Sequence, residues 1–438
     1  AAGGMDENHL GNYFADADLC LRLRSQKQRL IYQPLSTVVD GGSRPLDIEG
    51  DFAPHLREEL VKAQASELFA KRWLTTAAVD PFWNPNLSLA ETEPKAETSF
   101  HPQWQYLPTS APRILARPVT GAQASYRITS PLRALRNAGL ASECIWPMGG
   151  KRELTAPEII RLAPDSIIVQ HYLYDHHLAG LNAWQTLPER PFTVYSLDDL
   201  ITQMAGSNPF IKNIPSNSGT RLKYALERCD RLVVTTNTLA EMSQGFITDI
   251  RIVPNRLEQE IWLPLQSKKR TTQKPRIGWA GGSTHQGDLI LLKEVIEQTR
   301  DEADWIFFGM CPDEIRPLVS EFHGLQNLAE YPGKLASLNF DIAVAPLAQI
   351  PFNQAKSNLR LLEYGALGIP AVCTNIDPYR NSPACCVENT TAAWVAALKE
   401  RIHDADTREQ EGATLRKWVH QNYLLENHLE EWLTAHHS

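Results

Sequence analysis

From Arg113 onward, short apolar runs alternate with segments of helical period: RILARPV precedes SPLRALRNAGL, SIIVQHYL precedes LAGLNAWQTL, FTVYSLDDL precedes TRLKYALERC, and RLVVTT precedes TLAEMSQGF before IRIVPN. Apolar, β-branched runs that each lead into an amphipathic helix predict parallel strands joined by crossover helices. The rhythm breaks at LPLQSKKRTTQKP and restarts at Arg276 with RIGWAG, DWIFFG, FDIAVAPL and IPAVCT, each again followed by a helical pattern. The expected fold class is α/β. Two Rossmann-like, doubly wound domains, residues 113–265 and 266–438, should face each other across a cleft at the carboxyl ends of their strands.

The N-terminal part is patterned differently. DADLCLRLRSQKQ reads as a helix, RLIYQPLSTVV as a strand, and residues 52–75 as an amphipathic helix, so residues 1–79 are a mostly helical segment too small for a sheet domain. Residues 80–112 are rich in Pro, Ser, Thr and Asn, lack periodicity, and read as an extended linker. The chain starts at Ala1 and enters patterned sequence at once, which points to a piece of a longer chain. An in-frame stop just upstream of Met5 in the parent gene would refute that expectation.

Composition narrows the class. With 438 residues, 43% hydrophobic and 21% charged, the chain can bury more than one core and is not collagenous, coiled-coil or wholly disordered. A net charge of -8 argues against a general nucleic-acid binder and leaves room only for local basic pockets. The seven cysteines are scattered without a CxxC pair, so neither a disulfide framework nor a zinc site is indicated, and a reducing cytoplasm fits. No run of about 18 apolar residues offers a membrane span. The basic stretch Ser267–Arg270 can touch anionic lipid or serve as a solvated hinge.

Candidate chemistry collects at strand ends. After FDIAVAP a helix is expected from Ser357 to Gly368, its positive end carrying Lys356, where an ammonium and free N–H groups can hold a phosphate. Glu363, seven residues on, shares that face and can accept from hydroxyls; equally, the two can form a solvated ion pair. Gly281, Gly282 and Ser283 after RIGWA allow backbone approach to a diphosphate or simply make a turn, and His285 can donate to phosphate or cap a helix. In the first domain His171, Asp198 and Asp199 stand at strand ends, as cleft residues or as structural and capping ones. Gly121 follows the first strand, where it can allow ligand approach or equally make a plain turn, and Tyr126 and Arg127 come shortly after; the three are candidates for the acceptor side. Asp175-His176-His177 looks metal-like, but adjacent imidazoles point apart and no further ligand is evident, so no metal is expected.

These residues resemble glycosyltransferases of the GT-B fold, within them the retaining family 4. KSNLRLLEYGALGIPAV resembles that family's donor-site helix, with Glu363 and Gly368-Ile369-Pro370 matching, and CDRLVVTTNTLAEM and IRIVPN, with Asn255, resemble its last first-domain strands. The likeness runs from residue 113 to about 425. It implies a metal-independent, cofactor-free hexosyltransferase. Donor binding would fall to Gly281, Gly282, Ser283, His285, Lys356, Ser357 and Glu363, the last on the ribose, with His171, Asp198 and Asp199 at the sugar or acceptor. The implied partners are a nucleotide-diphosphate sugar and a glycan or lipid-linked glycan acceptor of bacterial surface polysaccharide (O-antigen or capsule type), in the cytoplasm or at the inner membrane face. Departures are Ala355, where the family usually has a glutamate, and Arg256, where VPNG has glycine. The family's phosphate-binding Arg and Lys are not evident, and Lys356 is the expected substitute.

GGMDENHLGNYFADADLCLRLRSQKQRLIYQPLSTVVD is similar to the end of a family 2 (GT-A) glycosyltransferase, with Asp16 and Asp18 in the acidic segment. Ala15 and Asp40 replace the preceding acid and the closing histidine, and the nucleotide-binding half is missing, which implies an inactive remnant. Other readings are a degenerate glycan-binding or scaffold module, or an epimerase or phosphorylase-like enzyme on the same fold.

Overall fold

The computed structural model describes the chain except residues 1, 12, 38–52, 85, 90–92, 99–101, 106, 108–109, 147–151, 204–208 and 269–273, and except the side chains of 53–57, 209 and 210. Asp40 and the Lys269–Arg270 part of the basic stretch therefore lie outside the described residues. The chain forms two compact units, residues 1–98 with 154–162, and residues 99–153 with 163–438.

The larger unit holds two parallel sheets. Strands β1 (Arg113–Arg117), β2 (Ser142–Ile145), β3 (Ser166–Val169), β4 (Phe192–Leu197), β5 (Arg231–Val234) and β6 (Ile250–Ile252) pair in the order β2-β1-β3-β4-β5-β6. Strands β7 (Arg276–Ala280), β8 (Asp304–Gly309), β9 (Glu321–Gly324), β10 (Ile342–Ala345), β11 (Ala371–Thr374) and β12 (Cys385–Val387) pair as β12-β11-β10-β7-β8-β9. All nine apolar runs named from Arg113 onward became strands. The three that periodicity did not reveal, β2, β9 and β12, each sit at a sheet edge, where one side lacks a strand neighbour and polar residues such as Glu143, Glu321 and His323 are tolerated. Inner strands such as β3, β5 and β10 are buried along their whole length and so read as continuous apolar runs.

The last helix, Leu429–His436, returns to the first sheet: Leu429, Trp432 and Ala435 join Ile114, Ile128 and Val194 in its core. Arg231 Nη1 fastens it by donating to the carbonyls of Thr434, Ala435 and His437 at 2.9, 3.2 and 2.9 Å, the terminal acceptors that no helical N–H satisfies.

In the smaller unit the helices Ala15–Ser25 and Ala53–Ala78 form as expected, with Phe14 and Phe69 stacked at 4.9 Å. Asp18 is fully buried. Burial opposes its charge, yet Arg72, Trp73 and Arg22, donating at 2.7, 2.9 and 2.6 Å, hold its carboxyl below the usual range. It is a structural anchor, whereas Asp16 is exposed. The strand expected over RLIYQPLSTVV is not formed among its described residues: Ile31, Tyr32 and Leu35 are 82, 88 and 90% exposed, with no strand beside them to pair with.

The end of β8 depends on glycine. Gly309 has φ +98°, and a Cβ there would sit 2.2 Å from the carbonyl oxygen of Gly281. Gly309→Ala should cost about 3 kcal/mol by urea denaturation, from strain plus overpacking. Gly282→Ala, with nothing within 4 Å of the added carbon, should be near neutral.

Candidate active site

A cavity of about 140 Å³ lies between the strand ends of the two sheets. Its first wall starts where the chain leaves β1 and turns at Gly121, φ +86°, into the helical turn Ala122–Ala124 and the π-helical turn Ser125–Thr129. Such a widened turn re-aims side chains and is frequent at functional sites. It brings Gln123 and Tyr126 to the cavity, while Gly121 itself does not line it.

Asp198 and Asp199, directly after β4, complete the wall with Asn255. Gln123 Nε2 donates to Asp198 Oδ1 at 3.3 Å and to Asp199 Oδ2 at 3.1 Å. Burial, and then the charge of Asp199, push the Asp198 carboxyl up to about 7, with Arg127 and Lys356 opposing.

The second wall comes from His285, Lys356, Ser357, Leu359, Arg360 and Tyr379. The expected helix starts at Leu359, two residues later than Ser357, with Asn358 as its N-cap. The reason lies across the cavity. Asn255 Nδ2 donates to Ser357 Oγ at 3.0 Å and Thr236 Oγ1 to the Ala355 carbonyl at 2.9 Å, which pins residues 355–357 as a turn. Lys356 Nζ stands 3.6 Å from Asp199 Oδ1 and 4.6 Å from the Phe352 ring centroid.

Arg360, which sequence reasoning did not single out, is the second permanent cation of this wall. Its spacing of four from Lys356, one helical turn, was the available signal. Its guanidinium fills the space a side chain at Gly281 would need, since a Cβ there would meet Trp279 at 2.7 Å and Arg360 Nη2 at 2.8 Å. Gly281 thus makes room for the arginine and does not line the cavity; neither do Gly282 and the exposed Ser283.

Glu363 lies behind the wall, 4% exposed. Its Oε1 accepts from Tyr126 at 3.0 Å, and its Oε2 from Tyr331 at 2.9 Å and Arg360 at 3.0 Å. Burial raises its pKa, and Arg360 and the two phenols oppose the shift. Both oxygens are engaged by the protein, so Glu363 faces side chains where a ribose was expected.

His285 lines the cavity as a neutral imidazole, pushed down to about 4 by burial with Lys356 and Arg360 acting in the same direction, while Asp288 at 3.0 Å opposes. His171 does not line it. It holds a left-handed backbone, φ +49°, with Nε2 buried and without a partner among the described residues, and burial lowers its pKa. Arg127 also stays out: it is buried, donates to the Val253 carbonyl at 2.6 Å and to Asn255 Oδ1 at 3.3 Å, and supports the wall from behind. Placed one residue after Tyr126 on a helical turn, it points away from the cavity that Tyr126 lines.

Glu153 joins His176 and His177, the three ligand atoms lying within 4.8 Å of one another, a neighbour the linear sequence did not show. Its carboxylate already accepts from Arg117 Nε and Nη2 at 3.0 and 2.8 Å and from Tyr172 at 2.7 Å.

No family model matches the chain. TuaH of Bacillus subtilis, a protein named for a glycosyltransferase role in teichuronic acid biosynthesis, is 26% identical over 226 residues, 44% of this chain and 55% of its own length. The chain thus spans about half of that relative, and a tenth of a second, uncharacterized one from Sinorhizobium fredii. Among solved structures, sucrose-phosphate synthase from Thermosynechococcus elongatus superposes with TM-score 0.55 at 12% identity, over 73% of this chain and 97% of its own. An alpha-glucosyltransferase in complex with UDP and a 13-mer DNA superposes with TM-score 0.54 at 9% identity, over 74% and 99%. At such identities the likeness is one of fold. The two six-stranded parallel sheets with their helices have the paired Rossmann-like arrangement of the GT-B fold.

Because the native state binds a proton on Asp198 more tightly than the unfolded chain, Asp198 subtracts stability as pH rises from its ordinary pKa of 3.8 to about 7. Thermal melts of wild type and Asp198→Asn should therefore agree near pH 4 and separate toward pH 8, with the variant the more stable; parallel curves would contradict the buried, proton-retaining carboxyl.

Proposed function

We propose that the chain is a glycosyltransferase that moves a sugar from a nucleoside-diphosphate sugar to a hydroxyl of a glycan. The observation that carries this reading is a single cavity in which Lys356, Arg360 and a neutral His285 on one wall face Asp198 and Asp199 on the other. A diphosphate satisfies the first wall: the positive charges of Lys356 and Arg360 stabilise the charge that develops on the leaving group, while His285, its N–H held by Asp288, shapes the pocket beside them. We read the transfer as metal-independent because these side chains supply that charge themselves. Lys356 exchanges Asp199 for phosphate, and Glu363 becomes available to a ribose when Tyr126 releases it.

On the other wall Asp198, its carboxyl pKa raised to about 7, can orient and hydrogen-bond the acceptor hydroxyl, with Asp199 beside it and His171 set back from the cavity. We read the reaction as retaining. The hydroxyl oxygen attacks the anomeric carbon on the face the diphosphate leaves, the bond to the leaving oxygen breaks, and the hydroxyl proton passes to a phosphate oxygen, so no protein nucleophile is assigned. The name of TuaH supports a place in bacterial surface polysaccharide synthesis, of O-antigen or capsule type. The acceptor would be a glycan or lipid-linked glycan met in the cytoplasm or at the inner membrane face.

One observation favours a second reading, a degenerate glycan-binding or scaffold module. Ala355, at the place of the family's other glutamate, is fully buried and leaves no side chain toward the donor sugar.

Calorimetric titration with UDP, GDP and dTDP tests the donor assignment. Lys356→Ala and Glu363→Ala should each weaken the nucleotide that binds by about tenfold, the loss of a charge-assisted hydrogen bond. Unchanged affinity in both variants would remove the donor site from this cavity.

A further inference from the structure

A second cavity, of about 290 Å³, shares Ser357 with the first and has a different chemistry. One wall is the start of the short helix after β5, Asn237–Met242, with Asn237 and Thr238; the other carries Asn358 and Asn381; and the pair Trp418 and Tyr423, ring centroids 4.7 Å apart, lies alongside. Among the described residues, no lysine, arginine or histidine lines it. Among the described residues, the carboxamides of Asn237, Asn358 and Asn381 make no hydrogen bond. Asp377 is the single carboxylate among the described lining residues, and Thr238 Oγ1 donates to it across the cavity.

This lining selects against the ligand that suits the first cavity. A diphosphate seeks fixed positive charge, and here it would meet only a carboxylate. Each carboxamide presents a donor and an acceptor side by side, which matches a hydroxyl-rich, uncharged ligand. The aromatic pair supplies the apolar surface on which the C–H face of a sugar ring packs. The volume is near the lower end of the range for small-molecule sites.

We propose that this second cavity binds uncharged saccharide units of the acceptor glycan, beyond the unit that receives the transferred sugar. The proposal rests on the glycosyltransferase reading. Since both cavities meet at Ser357, a glycan seated in the second runs directly to the wall of the first, and the acceptor is held by its chain as well as by its reacting hydroxyl.

Maltotriose, mannotriose and tri-N-acetylchitotriose, titrated into the full chain and followed by saturation-transfer difference NMR and calorimetry, provide the test. At least one should bind wild type, and Asn237→Ala and Asn381→Ala should each weaken it by about fivefold while leaving UDP affinity unchanged. Both residues are exposed and lose no internal hydrogen bond, so folding is not at stake. Binding by none of the three, binding that survives both substitutions, or displacement of the trisaccharide by UDP would overturn the proposal. Trisaccharide binding that depends on Asn237 and Asn381 in a chain that binds no nucleoside diphosphate would sustain the saccharide site and sink the transferase reading instead.

Discussion

A carboxylate closed off from water must find a donor for each oxygen, because an unpaired buried charge costs several kcal/mol. Glu363 meets this condition by drawing on both sheets: Tyr126 reaches it from the turn after β1, and Tyr331 and Arg360 from its own domain. That requirement sets how close the two sets of strand ends come. It also fixes Arg360 against Trp279, 5.9 Å from the ring centroid, which in turn demands a glycine at 281. The π-helical turn aims Tyr126 at Glu363, and the start of the helix at Leu359 is set beside it by the bonds of Asn255 to Ser357 and of Thr236 to Ala355.

Across the cavity, electrostatics divide the labour. Lys356 and Asp199 neutralise each other at 3.6 Å, while Asp198, shielded from water and beside a like charge, retains a proton toward neutral pH. An anion arriving in the cavity would compete with Asp199 for Lys356 and leave the negative charge of Asp199 unpaired. Ligand binding and redistribution of charge in the site are thereby coupled through one ammonium group.

Much of the fold was legible because parallel strands buried on both faces write themselves as uninterrupted apolar runs. The edge strands β2, β9 and β12 were hidden because partial exposure admits Glu143, Glu321 and His323 into them. RLIYQPLSTVV shows the converse: an apolar, β-branched run without a partner strand is not a strand over its described residues. In the candidate site, Asp198, Asp199, His285, Lys356, Ser357 and Tyr126 were identifiable as strand-end or helix-end residues and do line one cavity. Arg127 and Gly281 do not line it, because spacing gives the element and not the direction of a side chain within an irregular turn. Arg360 was missed because Lys356, one turn earlier, drew the positive charge of the site onto itself, and Gln123 because nothing local distinguishes it from a helix-surface glutamine.

The central claim is that the cationic wall of the first cavity stabilises a leaving nucleoside diphosphate. The most direct measurement is release of nucleoside diphosphate from a panel of UDP-, GDP- and dTDP-sugars, in the presence of glycan acceptors, by wild type and by Lys356→Ala. The account predicts release from one donor series by wild type and at least a tenfold slower rate in the variant, about 1.4 kcal/mol of lost transition-state stabilisation. Equal rates in the two proteins, or no release by a folded wild-type chain with any donor, would contradict it.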